Sequence, residues 1–132
     1  MKELRVVIDA NVLVSAYSTA GRIQERWNAG LGPHELFISP EIFAEVERTL
    51  RQAEFQFSPV KIRTCLKEIL SRCRLVRPKA RFTGDISDEK DRHLVNLALE
   101  VKADRIITGE LGLREEKAIA GITVQKLSEL AA

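Results

Sequence analysis

Four acidic residues stand where alternating strands and helices would place chemistry. Asp9 follows Val6-Val7-Ile8 directly, so its carboxylate projects from the end of a buried strand. Asp91 lies three residues before Leu94, on the stripe continued by Leu97, Ala98 and Val101, so an apolar helix face ends in a carboxylate. Glu45 and Glu47 flank the two sides of the apolar face of Ile42, Phe43, Val46 and Leu50, and spacing does not choose between them. Glu110 follows a strand and Gly109. Carboxylates gathered at one sheet edge repel each other unless a cation lies between them. Oxygen ligands without clustered histidine or cysteine select magnesium or manganese over zinc. Two such ions, roughly 3.5–4 Å apart, can activate a water and stabilise the leaving oxygen in phosphodiester cleavage.

Each acid also has an ordinary structural role open to it. Asp9 suits the N-cap of the helix after Asn11. Asp88 suits a cap, with Asp91 in the first turn favoured by the helix dipole. That role explains an acid near a helix start, but not one on the inward face. A solvated glutamate at position 45 and a turn glutamate at position 110 need no further explanation. The case for a site rests on the four together.

The elements that would position these acids are legible in order. Leu4 to Ile8 is an apolar strand, and a helical pattern resumes from Asn11 to Tyr17. Ile23 to Ala29 forms a second helical piece, ending at Gly30-Leu31-Gly32-Pro33. Strand Glu35–Ile38 leads into Ser39-Pro40, a cap followed by proline at the first helical position, and Ser58-Pro59 repeats that start. Arg74-Leu75-Val76 is a weak third strand. Asp88 to Val101 is the clearest helix. Asp104–Thr108 and Gly121–Val124 are the last strands, before a short helix with Leu127 and Leu130. Such alternation implies βαβ units and a mostly parallel sheet with helices on both faces. Ligands then bind beyond the carboxyl ends of the strands.

The bulk numbers set the frame. One domain over residues 1–132 fits the length and a hydrophobic content of 45%, and no linker, repeat or low-complexity segment interrupts it. Net charge is +2, with no basic tail, so distribution matters more than total. Cys65 and Cys73 form neither a CxxC pair nor a zinc spacing with histidine, which reads as two buried thiols in a reducing compartment. No signal-peptide pattern opens the chain, and no apolar run approaches the ~20 residues of a membrane span. A cytoplasmic protein without membrane contact is expected.

The segments VVIDANVLVSA, FISPEIFAEVERTL, SDEKDRHLVNLALEVKADRIITGE and GITVQKLSEL, in that order and spacing, resemble PIN-domain proteins. The resemblance spans nearly the whole chain, and is greatest to the prokaryotic toxins of toxin–antitoxin pairs. It implies a three-layer α/β/α sandwich with a five-stranded parallel sheet, strand order 3-2-1-4-5. It further implies magnesium- or manganese-dependent cleavage of RNA, single-stranded by expectation, with an antitoxin protein and a second copy of the chain as partners. Asp9, Glu45, Asp91 and Glu110 match the metal-binding and catalytic acids, which settles Glu45 over Glu47. Asn11, Asp88 and Thr108 match the supporting polar residues. Two positions depart from the pattern. Glu110 stands where aspartate is usual, and Gly112 where a second acid often follows, leaving the site one carboxylate short.

Substrate contacts follow from charge near this mouth. Arg72, Arg74, Arg77, Lys79 and Arg81 crowd the third strand, either as a solvated surface or as a phosphate-contacting rim, and Arg22 and Arg92, with Arg26, are candidates for the same contact near the acidic mouth. A haloacid-dehalogenase-like phosphatase also opens with a strand ending in Asp, but needs a second Asp where this chain has Asn11. Asn cannot donate and recover a proton. The remaining alternative is a catalytically weakened PIN fold that binds RNA or protein without cutting.

Overall fold

The computed structural model describes residues 3–18, 31–109, 113 and 116–131. The expected helical piece at 23–29 lies outside them, as do Arg22, Glu110 and Gly112. The strands are β1 (Arg5–Ile8), β2 (Glu35–Ile38), β3 (Cys73–Leu75), β4 (Arg105–Ile107), β5 (Ala118–Ile119) and β6 (Ile122–Gln125). The helices are α1 (Ala10–Ser18), α2 (Pro40–Leu50), α3 (Pro59–Arg72), α4 (Arg92–Val101) and α5 (Leu127–Ala131). Among the described residues no helix is long and apolar enough to cross a membrane.

β1 forms at the centre because its β-branched run is buried on both faces: Val6, Val7 and Ile8 are all fully inaccessible. It pairs in parallel with β2 on one side and β4 on the other, with Ile8 opposite Ile107. The sheet order is β3-β2-β1-β4-β6-β5, and every pairing is parallel except β5 with β6. The expected order 3-2-1-4-5 is therefore recovered with β6 as its fifth member. The expected count of five, all parallel, is corrected to six. The extra strand comes from a tight hairpin whose central residues Ala120 and Gly121 have φ of 53° and 80°. Positive φ at both positions is the geometry that matches the sheet's twist. Ala is a rare first residue there, so the sequence carried little sign of it.

Helix starts follow the expected chemistry. Ser39 Oγ accepts from the Ile42 N–H and Ser58 Oγ from the Lys61 N–H, each followed by proline in the first turn. The expected Asp88–Val101 helix divides in two. Asp88 caps a 3₁₀ turn, Glu89–Asp91, by accepting from the Lys90 N–H at 3.0 Å, and α4 begins at Arg92. Lys102, left-handed at φ 54°, ends α4.

Right-handed crossovers fix the layers. The chain steps from β1 to β2 to β3 in one direction, which sets α1, α2 and α3 on one face; it then returns to β4, which sets α4 on the other. The core joins Val7, Leu13, Phe37, Ile42, Leu97 and Ile106 across these layers. Phe55 and Phe57 pack against this core with ring centroids 5.8 Å apart. His34 is structural: its Nδ1 accepts from the Leu4 N–H at 3.1 Å. Successive connections leave β1 and β4 in opposite directions, so a switch point lies between their carboxyl ends. An open α/β sheet presents its binding crevice there.

Candidate metal-binding pocket

Asp9 and Thr108 are the residues that immediately follow β1 and β4, and the ladder between those strands brings them together. The Asp9 N–H donates to the Ile107 carbonyl at 2.9 Å, continuing the ladder one residue beyond the strand. The Thr108 hydroxyl donates to Asp9 Oδ2 at 2.7 Å. Both residues are buried. The Asp9 carbonyl accepts from Val12 and Leu13 and so starts α1. Its backbone therefore serves the helix while its carboxylate faces a cavity. A buried carboxylate without such hydrogen bonding would be costly.

That cavity, about 530 Å³, is lined by Asp9, Ala10, Asn11, Glu41, Glu45, Arg48, Asp88, Lys90, Asp91 and His93. Asp91, at the head of the apolar stripe, is buried: only 7% of it is accessible, at the junction of the 3₁₀ turn and α4. Glu45 comes from the middle of α2 and lines the cavity, while Glu47 does not. Glu47 turns away to Arg51, with a 2.8 Å ion pair. Five carboxylates here face two permanent cations, Arg48 and Lys90. Such an excess of acid lowers the energy of a bound cation.

The donor set consists of hard oxygens, which fits magnesium or manganese. Among the described residues, no three His, Cys, Asp or Glu side chains are arranged to hold one ion as they stand. Glu45 Oε2 is paired with Arg48, one helical step along α2.

The structure thus gathers Asp9, Asn11, Glu45, Asp88 and Asp91 around one cavity, with Thr108 behind Asp9. It does not bring Arg92 there. The Arg92 guanidinium donates to Glu89 at 2.5 and 2.8 Å and to the carbonyls of Phe82 and Gly84 at 2.7 and 3.0 Å. It also lies over the Phe82 ring. The carbonyl bonds fasten the 82–84 loop to the start of α4, and the hydrogen bonds that Arg92 donates hold the Glu89 carboxyl below its usual range. Glu41 and His93, not singled out by sequence, line the cavity too. Glu41 precedes Glu45 by one helical turn and His93 follows Asp91 by two residues; those spacings were the available signals. His93 Nδ1 is buried without a hydrogen-bond partner, 3.8 Å from Glu41 Oε2.

A family model described as PIN domain matches residues 5–111. Among solved structures, the chain is similar to one described as VapBC2 from Rickettsia felis bound to a DNA fragment from their promoter. The TM-score is 0.65 at 14% identity, covering 93% of this chain and 98% of that one. Among curated proteins no sequence matches it.

Proposed function

The chain belongs to the PIN-domain family, whose members are generally nucleases, and on that premise we propose a ribonuclease that cuts RNA with magnesium or manganese. The observation that carries this reading is the buried Asp9 carboxylate, oriented by Thr108 into a cavity it shares with Asp91 and Glu45. When bound, the ions supply an activated water and stabilise the leaving oxygen. Asp9, Asp91 and Glu45 hold them, with Glu110 as a fourth acid, and Asn11 and Asp88 as supporting polar groups. Thr108 donates to Asp9 Oδ2 and so fixes how the carboxylate is turned towards the cavity. Arg22 meets substrate phosphate, while Arg92 acts by holding its loop.

We extend the reading to the toxin of a toxin–antitoxin pair. The Rickettsia felis neighbour, a VapBC2 assembly on promoter DNA, supports that extension by its fold. The partners proposed are an antitoxin protein, single-stranded RNA and a second copy of the chain, in the cytoplasm.

A second reading, a weakened PIN fold that binds without cutting, is favoured by one observation. Glu45 is paired with Arg48, and no three-ligand group stands ready among the described residues. One experiment separates the two. Purified protein is incubated with labelled single-stranded RNA in manganese, in magnesium and in EDTA, beside Asp9→Asn. The ribonuclease reading expects cutting that needs metal and disappears in the variant. Absence of both cutting and calorimetric manganese binding would establish the weakened module instead.

A further inference from the structure

A second cavity, about 430 Å³, adjoins the acidic one. Glu41 and His93 line both, so these two side chains form the divide. Beyond it the walls are Arg77, Arg81 and Asn96, with the Ser39-Pro40 start of α2. The charge reverses across the divide. Five carboxylates line the first cavity, whereas two guanidiniums face the single carboxylate of Glu41 in the second.

The arginines sit on a loop that is built rather than merely exposed. The N–H groups of Lys79 and Ala80 both donate to Glu100 Oε1, at 2.7 and 2.9 Å, and the Phe82 N–H donates to Asn96 Oδ1 at 2.7 Å. Glu100 and Asn96 both project from α4, the helix that Asp91 begins. Three main-chain bonds therefore tie the loop to the element that carries a pocket acid. The Arg81 guanidinium rests on its own loop, donating to the carbonyls of Pro78 and Ala80 at 3.3 and 3.2 Å. Arg77 makes no ion pair with any described residue.

A nucleic-acid strand with one phosphate in the acidic cavity must set its neighbouring phosphates elsewhere, because carboxylates repel them where no metal intervenes. The adjoining groove offers cations at that place. A solvated pair of surface arginines would not need a loop clamped by two α4 side chains. We infer that this groove is the flanking-strand subsite: Arg77 and Arg81 take the phosphates next to the scissile one in single-stranded RNA. The inference rests on the ribonuclease reading above.

The test measures binding and cutting separately. Arg77→Gln/Arg81→Gln is compared with the protein itself and with Arg63→Gln/Lys67→Gln, an equal charge loss on exposed positions of α3. Fluorescence anisotropy of labelled single-stranded RNA, with calcium present, is followed against salt concentration. Losing two phosphate contacts is expected to flatten the log–log salt slope by about 1.4, and to weaken binding on the order of ten-fold near 0.15 M salt. The α3 variant is expected to keep the original slope. In manganese, oligonucleotides lengthened on one side of the cut are expected to be cleaved faster than short ones, an advantage lost in Arg77→Gln/Arg81→Gln. An unchanged slope in that variant, in a protein that cuts RNA, overturns the subsite alone. A flattened slope without metal-dependent cutting upholds the groove as an RNA site and overturns the ribonuclease reading. A protein that binds no RNA overturns both.

Discussion

Thr108 matters through the hydrogen bond from its hydroxyl to Asp9 Oδ2, because that bond fixes how the Asp9 carboxylate is turned. Thr108→Val removes the donor and keeps the shape. Groups that orient a metal ligand typically govern ~10–100-fold in affinity or activity, and calorimetry with manganese is expected to register a loss in that range. The same variant leaves a buried carboxylate oxygen unpaired, at a cost of about 1–3 kcal/mol in a urea melt. Thr108→Ser should recover most of both; a serine variant as poor as valine would mean the methyl group, not the hydroxyl, is what counts. Arg48 poses the opposite case. On the proposed metal-dependent reading, its exposed pair with Glu45, one helical step apart and worth roughly 0.3–0.5 kcal/mol, opposes binding of an ion by that carboxylate. Arg48→Ala should therefore tighten manganese binding about two-fold with little change in Tm. Glu45→Gln should weaken binding, and Glu47→Gln, whose partner is Arg51, should leave it unchanged.

At the scale of elements, α4 does two jobs: Asp91 stands at its N-cap, and its Asn96 and Glu100 hold the 79–82 loop. The two N–H bonds to Glu100 hold its carboxyl below the usual 4.5. A lowered folded-state pKa stabilises the protein above that value, and the contribution fades as pH falls through the folded pKa. Glu100→Gln should accordingly flatten the acid arm of a Tm-versus-pH curve below about pH 4.5, and hydrogen exchange at Lys79 and Ala80 should lose its acid sensitivity; an unaltered arm would deny the clamp. Which elements could be read from sequence follows from how local their causes are. β1 needed only its β-branched run, and α2 and α3 only Ser-Pro caps. The Asp88–Val101 stripe revealed the burial of Asp91 but not the break at Arg92, since Asp88 satisfies Lys90 through a local bond that interrupts the helix. The β5–β6 hairpin stayed hidden because it depends on left-handed Ala120 rather than on a residue that favours that shape.

Across the whole molecule, burial protects what the surface leaves exposed. Cys65 and Cys73 are free thiols inside the core, and desolvation raises both, Cys73 from 9.0 to about 12. Alkylation needs the thiolate, so the native protein should resist iodoacetamide at pH 8 and react at both sites only in denaturant, as read by mass spectrometry. Stability linked to Cys73 is fully present below pH 9 and is lost as pH rises from 9 towards 12. The candidate site was legible only partly for a related reason. Asp9 and Asp91 announced themselves by position, Glu45 needed a family resemblance, and Glu41 and His93 join the cavity only because the starts of α2 and α4 meet beyond the strand ends, where the two side chains lie 3.8 Å apart. That dependence on distant parts sets a schedule for the protein's own birth. Asp9 is made 99 residues before its Thr108 partner, and the Thr108 N–H is in turn tied to Gln125. A chain still being made has its first acid but no means of aiming it. A product cut short before β4 lacks the donor that aims Asp9, so the pocket is assembled only after the segment through β4 and β6 has been made.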